Sequence, residues 1–277
     1  MNGRRLRGLC LGLFLVLAAA PFVAAQLTPE EVADREKWEV FLKTAEIVGE
    51  EQMSSRKAVT SPWVLRLKKG DVTRQAVWKN PEGRMGGFIE GWRFEIAAYR
   101  IDQLLGLNMV PPTVERPFRE NRGSCQLWIE KCFSLREKDE QGIRQPSIKN
   151  IPLNRATYLQ RLLDNLIANN DRHKGNILYT PDWRMILIDH SRAFLTGSRA
   201  TKRLIYTKDH PEGPRLMSEL PRSVVEKLKA LTAEEVKRSV GEYLNGKEIE
   251  AIMARRDLIL VEIDRLVKEH GEENVLY

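Results

Sequence analysis

Residues 169–194, NNDRHKGNILYTPDWRMILIDHSRAF, decide how the rest of the chain is read. Two short apolar runs, Ile177–Tyr179 and Met185–Ile188, flank the turn-like Thr180-Pro181-Asp182, which predicts a buried hairpin. So short a hairpin returns its two ends to one place. Asp171 and Asn176 before the first strand, and Asp189 after the second, would then line one cavity. Two carboxylates and an amide gathered this way suit phosphoryl transfer: one acid orients the acceptor while an amide and a carboxylate hold a metal.

Upstream, Thr28-Pro29-Glu30-Glu31 is a helix start with a capping hydroxyl, a proline at the first helical position and a glutamate three residues after the cap. Trp38, Phe41, Leu42 and Ala45 continue it as one apolar face. Ile47 and Val48 predict a short strand that ends at Gly49, and GEEQMSS (49–55) a polar loop. Trp63–Lys68 alternates as a half-buried strand, and Thr73–Lys79 returns as another. Strands ending in a lysine, Lys79, match the order of a kinase small lobe. Asn80–Gly91 carries Gly83, Gly86, Gly87 and Gly91 and reads as a flexible surface loop, because phosphate-cradling glycines come between a strand and a helix at fixed spacing. Trp92–Gly106 is an amphipathic helix closed by glycine, with Glu95 beside its apolar face. Gly123–Phe133 alternates as one strand leading to a hinge, and Ser134–Pro152 is a polar linker or flap.

Downstream, Asn154 is the expected cap of a helix over Arg155–Ala168, which delivers the chain to Asp171. Beyond Phe194 a basic, irregular stretch runs to Pro214. Three helices follow: Pro221–Leu231, Ala233–Leu244 behind a Thr232/Glu235 capping box, and Lys247–His270. Strands first and helices last predict an α+β protein of two lobes with a cleft between them.

Among the 277 residues, 1–25 read as a signal peptide: Arg4, Arg5 and Arg7, then the apolar run Leu9–Ala20, then Val23-Ala24-Ala25 before Gln26. The run is short of the roughly 20 residues a span needs; an uncleaved anchor is the alternative. Export to a periplasm, a secretory lumen or the exterior is the expectation. Without residues 1–25 the formal charge falls from +7 to +4, since three arginines and no acids leave. The remaining bases are interleaved with acids, which argues against a nucleic-acid partner. On one strand, Cys125 and Cys132 would stand roughly 23 Å apart on opposite faces, so they do not bridge there unless the segment turns.

Lys79, at the end of a strand, reaches for nucleotide phosphates, and Glu95 would keep it charged in a partly buried site. His173 reads as a packed residue bracing its loop, and Arg172 and Lys174 as contacts to phosphate or to solvent. An Asp/His metallohydrolase is disfavoured, because neither His173 nor His190 has the i, i+4 partner of a zinc protease. Trp78, Trp92 and Trp128 read as packing residues.

Three blocks carry a resemblance. EIAAYRIDQLLGLNMVPPTVER (95–116) is similar to the helix and turn of the secretory-pathway kinases related to the Golgi casein kinase. LLDNLIANNDRHKGN (162–176) resembles their catalytic loop and that of the phosphatidylinositol kinases. ILIDHSRAF (186–194) resembles their metal-binding strand end. The resemblance spans roughly residues 40–270. It implies an atypical kinase fold, with a β-rich N-lobe (26–133), a linker (134–152) and a helical C-lobe (153–277). It further implies Asp171 as the catalytic aspartate, Asp189 and Asn176 as metal ligands, and Lys79 with Glu95 at the phosphates of ATP. Ser54, Ser55 and nearby backbone N–H groups would contact nucleotide, and Mg2+ or Mn2+ would serve as the metal. Asn176 matches the lipid kinases, where the Golgi-type enzymes tend to carry an acid. The implied activity is an exported, ATP-dependent phosphotransferase with a hydroxyl acceptor on protein, lipid or sugar. A pseudokinase or nucleotide-binding interaction protein on the same fold is the alternative.

Overall fold

A computed structural model of the chain describes residues 26–53 and 61–277. The expected signal peptide (1–25) and the candidate nucleotide contacts Ser54 and Ser55 lie outside the described residues.

The chain begins with α1 (Pro29–Ala33) and α2 (Arg35–Thr44). The Thr28 hydroxyl accepts from the Glu31 N–H while the Glu31 carboxylate accepts from the Thr28 N–H, so the expected capping box forms. The continuous helix expected to Ala45 is broken at Asp34, which makes no side-chain cap. The break leaves Arg35 turned inward, where its guanidinium meets the buried Asp102 at 3.3 Å.

Next come β1 (Glu46–Gln52), β2 (Trp63–Lys69) and β3 (Val72–Lys79). Contrary to expectation, β1 does not stop at Gly49: an irregularity between Ile47 and Gly49 absorbs one residue, and pairing with β2 continues to Gln52↔Trp63. The glycine-rich stretch is likewise ordered, as the hairpin β4 (Glu82–Met85) and β5 (Phe88–Gly91). Gly86 and Gly87, at φ 55° and 88°, make its two-residue turn, a conformation that disfavours a side chain at both positions. Its strands lack the alternating apolar pattern that would have announced it.

Helix α3 (Trp92–Leu105) follows and ends on Gly106 at φ 68°. Then β6 (Thr113–Glu115) and β7 (Ser124–Leu127) complete a five-stranded antiparallel sheet in the order β1-β2-β3-β7-β6. The strand expected over Gly123–Phe133 is two strands. After Leu127 the chain leaves the first sheet, turns with Lys131 at φ 60°, and enters β8 (Phe133–Ser134), which pairs in a second sheet. Cys125 and Cys132 are both free thiols. Cys125 lies on β7, buried against the inner face of the first sheet, and Cys132 lies in the connection just before β8.

Helix α4 (Leu135–Glu140) is capped by Ser134 and Glu137, and α5 (Asn150–Ile167) begins earlier than the expected Asn154 cap. Pro152 lies in its first turn, where a missing N–H costs nothing. The predicted hairpin forms as β9 (Ile177–Tyr179) and β10 (Met185–Leu187), with β8 beside β9. After β10 an irregular stretch to residue 221 holds only the short α6 (Ser198–Lys202), and α7 (Arg222–Ala230), α8 (Ala233–Val240), α9 (Gly246–His270) and α10 (Glu272–Val275) follow. Among the described residues no helix is long and apolar enough to cross a membrane.

Buried apolar side chains form two clusters. The smaller joins α2 to the inner face of the first sheet through Phe41, Leu42, Leu65, Leu67, Ala76 and Trp78. The larger gathers α5, α7, α8, α9 and the β9–β10 hairpin, and it takes in Phe94, Ile96, Ala98, Ile101 and Leu105 of α3. Helix α3 is rooted in the larger cluster and meets the first half through ion pairs, Glu95 with Lys79 and Asp102 with Arg35, so Asp102 anchors it from its last turns. One Asp102 oxygen accepts from the Met109 N–H at 2.8 Å and the other faces Arg35. Burial raises the Asp102 pKa to about 6 despite these partners. Asp102→Ala is expected to lower unfolding free energy by about 1–3 kcal/mol, measured by urea titration, because Arg35 and the Met109 N–H lose their acceptor.

Candidate functional site

Helix α5 ends with Ala168 in the left-handed region at φ 49°, which turns the chain sharply into the loop carrying Asp171. That loop is built on a buried ion pair. Asp164, fully buried on α5, accepts from Arg172 Nε at 2.9 Å and Nη2 at 3.0 Å, and from Asn169 Nδ2 at 3.0 Å. The third nitrogen of Arg172 donates to Asn176 O at 2.8 Å and Ile188 O at 2.7 Å. One guanidinium thus ties the start of the loop, its end and the end of β10 together. Contrary to the expected contact with phosphate or solvent, the Arg172 side chain is buried against Asp164; the exposed Lys174 pairs with Asp139 at 2.6 Å. His173 is exposed rather than packed, with Nδ1 accepting from the Gly175 N–H at 3.1 Å.

At the other end of the hairpin Asp189 has φ 61°, left-handed backbone that aspartate tolerates better than most residues. Its Oδ1 accepts from Lys79 Nζ at 2.8 Å. The same ammonium donates to Glu95 Oε1 at 2.8 Å, and Glu95 Oε2 accepts from the His190 N–H at 2.9 Å. A lysine from the first sheet, a glutamate from α3 and an aspartate from the hairpin therefore meet in one chain of charges. Burial works against the charge on Lys79, yet Asp189 and Glu95 raise its pKa above the ordinary lysine value. Burial likewise works against ionised Glu95, and Lys79 with His190 holds its carboxyl far below the usual range. His190 itself is fully buried and its pKa is lowered chiefly by that burial.

Asp171 faces the same space. Its Oδ2 is 3.3 Å from Arg192 Nη1, and Asn176 Nδ2 donates to its backbone carbonyl at 3.2 Å. Burial raises the Asp171 pKa; Arg192 opposes the rise, and Asp189 and Glu90 add to it. Lys79, Glu95 and Asp189 are thus in direct contact, and Asp171 and Asn176 flank them on the adjoining loop. Ser54 and Ser55 lie outside the described residues; the Gln52↔Trp63 and Trp63↔Trp78 pairs lie at the Lys79 end of the sheet.

Three participants escaped the sequence reading. Glu90, nearly fully buried on β5, accepts from Ser191 Oγ at 2.5 Å and from Arg192 Nε at 2.6 Å. Ser191 Oγ is also 3.3 Å from Asp189 Oδ1, so Glu90 stands beside Asp189 with one hydroxyl between them. Arg192 joins Glu90 to Asp171. No signal marked these residues, because their meeting depends on the β4–β5 hairpin folding onto the segment after β10. The Gly91 N–H donating to Ser191 O at 2.9 Å fixes that docking.

Four carboxylates (Glu90, Glu95, Asp171 and Asp189) face two cations (Lys79 and Arg192), an excess of two negative charges. Hard oxygen donors with that charge fit a Mg2+- or Mn2+-sized cation, which takes one or two carboxylates and completes its shell with phosphate and water. Asp189 Oδ2 and Asn176 Oδ1 have no hydrogen-bond partner among the described residues and are the natural donors.

No family model matches this sequence, and no curated protein does. Solved structures do. A hydra Fam20, solved with a sugar, superposes over 92% of this chain and 95% of its own, with TM-score 0.65 and 15% identity. The Golgi casein kinase with Mn/ADP bound covers 91% of this chain and 80% of its own, at TM-score 0.63 and 16% identity. This chain has the fold of the Fam20-type atypical kinases. The Helicobacter pylori proinflammatory kinase CtkA shares it more distantly, over 84% of this chain and 97% of its own, at TM-score 0.51 and 12% identity. The α+β, two-lobed fold expected from the sequence is borne out.

Proposed function

We propose that the chain is an ATP-dependent phosphotransferase that moves a phosphoryl group to a hydroxyl acceptor with the help of a divalent metal. The observation that carries this reading is Lys79 Nζ held at 2.8 Å by both Glu95 and Asp189, with Asp171 on the adjoining loop. Lys79, fixed by Glu95, would contact nucleotide phosphates. Asp189 with Asn176 would hold Mn2+ or Mg2+. When bound, the metal neutralises charge on the phosphates. Asp171 orients the acceptor hydroxyl and takes its proton. The solved Golgi casein kinase with Mn/ADP supports Mn2+ and an adenine nucleotide as the first ligands to try. An apolar leader with a small-residue end, Leu9–Ala25, supports export.

Calorimetric titration of ADP with and without Mn2+, followed by mass spectrometry after incubation with ATP and Mn2+, tests the reading. Metal-dependent binding and phosphate transfer to the chain itself or to an added hydroxyl are expected; no binding under either condition overturns it. One sequence feature favours the inactive alternative: the candidate nucleotide stretch GEEQMSS (49–55) carries a single glycine, fewer than a phosphate-cradling loop uses. Tight Mn2+-dependent ADP binding with no transfer would select that alternative.

A pH dependence follows from Asp171. It acts as an anion, and its pKa is raised from 3.8, so protonation removes activity at a higher pH than for a free carboxyl. The acid limb of the kcat/KM profile, which reports the ligand-free protein, is therefore expected above pH 3.8.

A further inference from the structure

Arg192 is oriented on three sides. Its Nε donates to Glu90 Oε1 at 2.6 Å, its Nη1 lies 3.3 Å from Asp171 Oδ2, and its guanidinium carbon sits 4.4 Å from the centre of the Phe88 ring. Phe88 and Glu90 alternate on β5, so one face of the strand supplies both the stacking ring and the carboxylate. The Phe88 side lies open to solvent, with half of that residue exposed, and the Arg192 side chain is 17% exposed. The guanidinium is thus held at the mouth of the site, between Asp171 and Glu90. Asp189 also acts on its charge, which these three acids sustain against burial. Its Nη2 makes no hydrogen bond among the described residues.

Arg192 is the counter-ion of the buried Glu90, a structural service that Nε performs by itself. Nη1 lies beside Asp171 and Nη2 has no partner among the described residues, and neither is needed for that service. What the arrangement supplies is a donor of fixed direction beside the acceptor-orienting carboxylate, where negative charge spreads over the equatorial oxygens of a phosphoryl group in flight.

We infer that Arg192 is a further catalytic residue, contacting the transferring phosphoryl group through Nη2 while Nη1 holds Asp171 Oδ2 and leaves Oδ1 for the acceptor; this rests on the phosphotransferase reading above. In the step, the acceptor oxygen forms a bond to the γ-phosphorus as the bond to the β–γ bridging oxygen breaks. ADP leaves with that electron pair, and the acceptor proton passes to Asp171. Arg192 remains protonated throughout. Phe88 and Glu90 are positioning residues that act through it.

The test uses the chain with Mn2+ and ATP, water serving as acceptor, and compares ADP affinity in the absence and presence of aluminium fluoride, a planar mimic of the phosphoryl group. Wild type is expected to hydrolyse ATP and to bind ADP with aluminium fluoride at least about 100-fold more tightly than ADP alone. Arg192→Gln is expected to lower kcat by about 10³-fold, to keep ADP affinity within about threefold, and to lose the aluminium fluoride enhancement. Arg192→Lys restores only part of kcat, because an ammonium cannot serve Asp171 and the phosphoryl group together. Phe88→Leu, at an exposed site, is expected to cost about 10-fold in kcat with ADP affinity intact. Arg192→Gln that keeps kcat and the enhancement within about threefold of wild type overturns this role and leaves the phosphotransferase reading standing. Loss of ADP affinity in Arg192→Gln together with an unaffected Phe88→Leu assigns Arg192 to the fold and likewise overturns the role. Wild type that binds ADP with Mn2+ but shows neither turnover nor enhancement overturns both.

Discussion

Asp189→Asn is expected to abolish Mn2+-dependent tightening of ADP binding and to lower phosphoryl transfer by about 10³-fold or more, equivalent to roughly 4 kcal/mol of the barrier. The substitution removes one negative charge from a site with two in excess, and it removes the carboxylate whose Oδ1 reaches Lys79. Asparagine is the informative replacement. Asp189 sits at φ 61°, where alanine would add backbone strain of about 1–2 kcal/mol that asparagine avoids. The Asp189 side chain is 35% exposed and Lys79 keeps Glu95, so global stability should change by no more than about 1 kcal/mol. Calorimetry with ADP, with and without Mn2+, and a urea melt on the same preparation check both halves. Equal metal dependence in the variant and the wild type would remove Asp189 from the metal site.

Asp164→Ala is expected to do the reverse, costing stability first. Asp164 and the Arg172 side chain are buried to within 1% of full burial, and the bidentate pair is the only ion pair Arg172 makes among the described residues. Removing one partner strands a buried guanidinium and costs about 3–5 kcal/mol. For a chain of this length that lowers the melting temperature by roughly 6–20 °C. Transfer should fall as well, because Arg172 also donates to Asn176 O and Ile188 O and so sets the spacing of the two halves of the site. A thermal melt within about 2 °C of wild type would show the pair to be dispensable.

The two effects separate what positions the site from what acts in it. Ala168, Asp189 and Phe194 all have positive φ, and all three flank the loop or the strand end of the candidate site. Backbone held in this region persists only where its surroundings over-determine it. Arg172, the Phe194 N–H donating to Ile167 O at 2.5 Å, and the Leu187 N–H donating to Met109 O at 2.9 Å are those surroundings.

Much of the site was legible in the sequence because its parts are local. The hairpin Ile177–Leu187 is announced by apolar runs around a turn, and a hairpin of that length leaves Asp171, Asn176 and Asp189 near one another whatever else the chain does. Lys79 and Glu95 were legible as a strand end and a helix face, and their pairing follows from α3, rooted in the larger cluster, packing beside β6 and β7 of the first sheet. Where the reading failed, the cause was a change of partner that no local period records. Residues 123–133 alternate throughout, yet pass from one sheet to another after Leu127. Residues 80–91 lack alternation, yet form a hairpin because a Gly-Gly turn can close it and a docking surface receives it.

The sequence by itself therefore determined the α+β order, the hairpin and the acids at its ends, because hydrophobic period and turn chemistry act within a few residues. Only the tertiary structure decided that Arg172 serves the buried Asp164 rather than phosphate, and that Glu90 and Arg192 belong to the site. Those outcomes depend on charges brought together by packing across 8 to 102 residues, where a buried ion takes whichever counter-charge the fold delivers and the local sequence has no means of naming it.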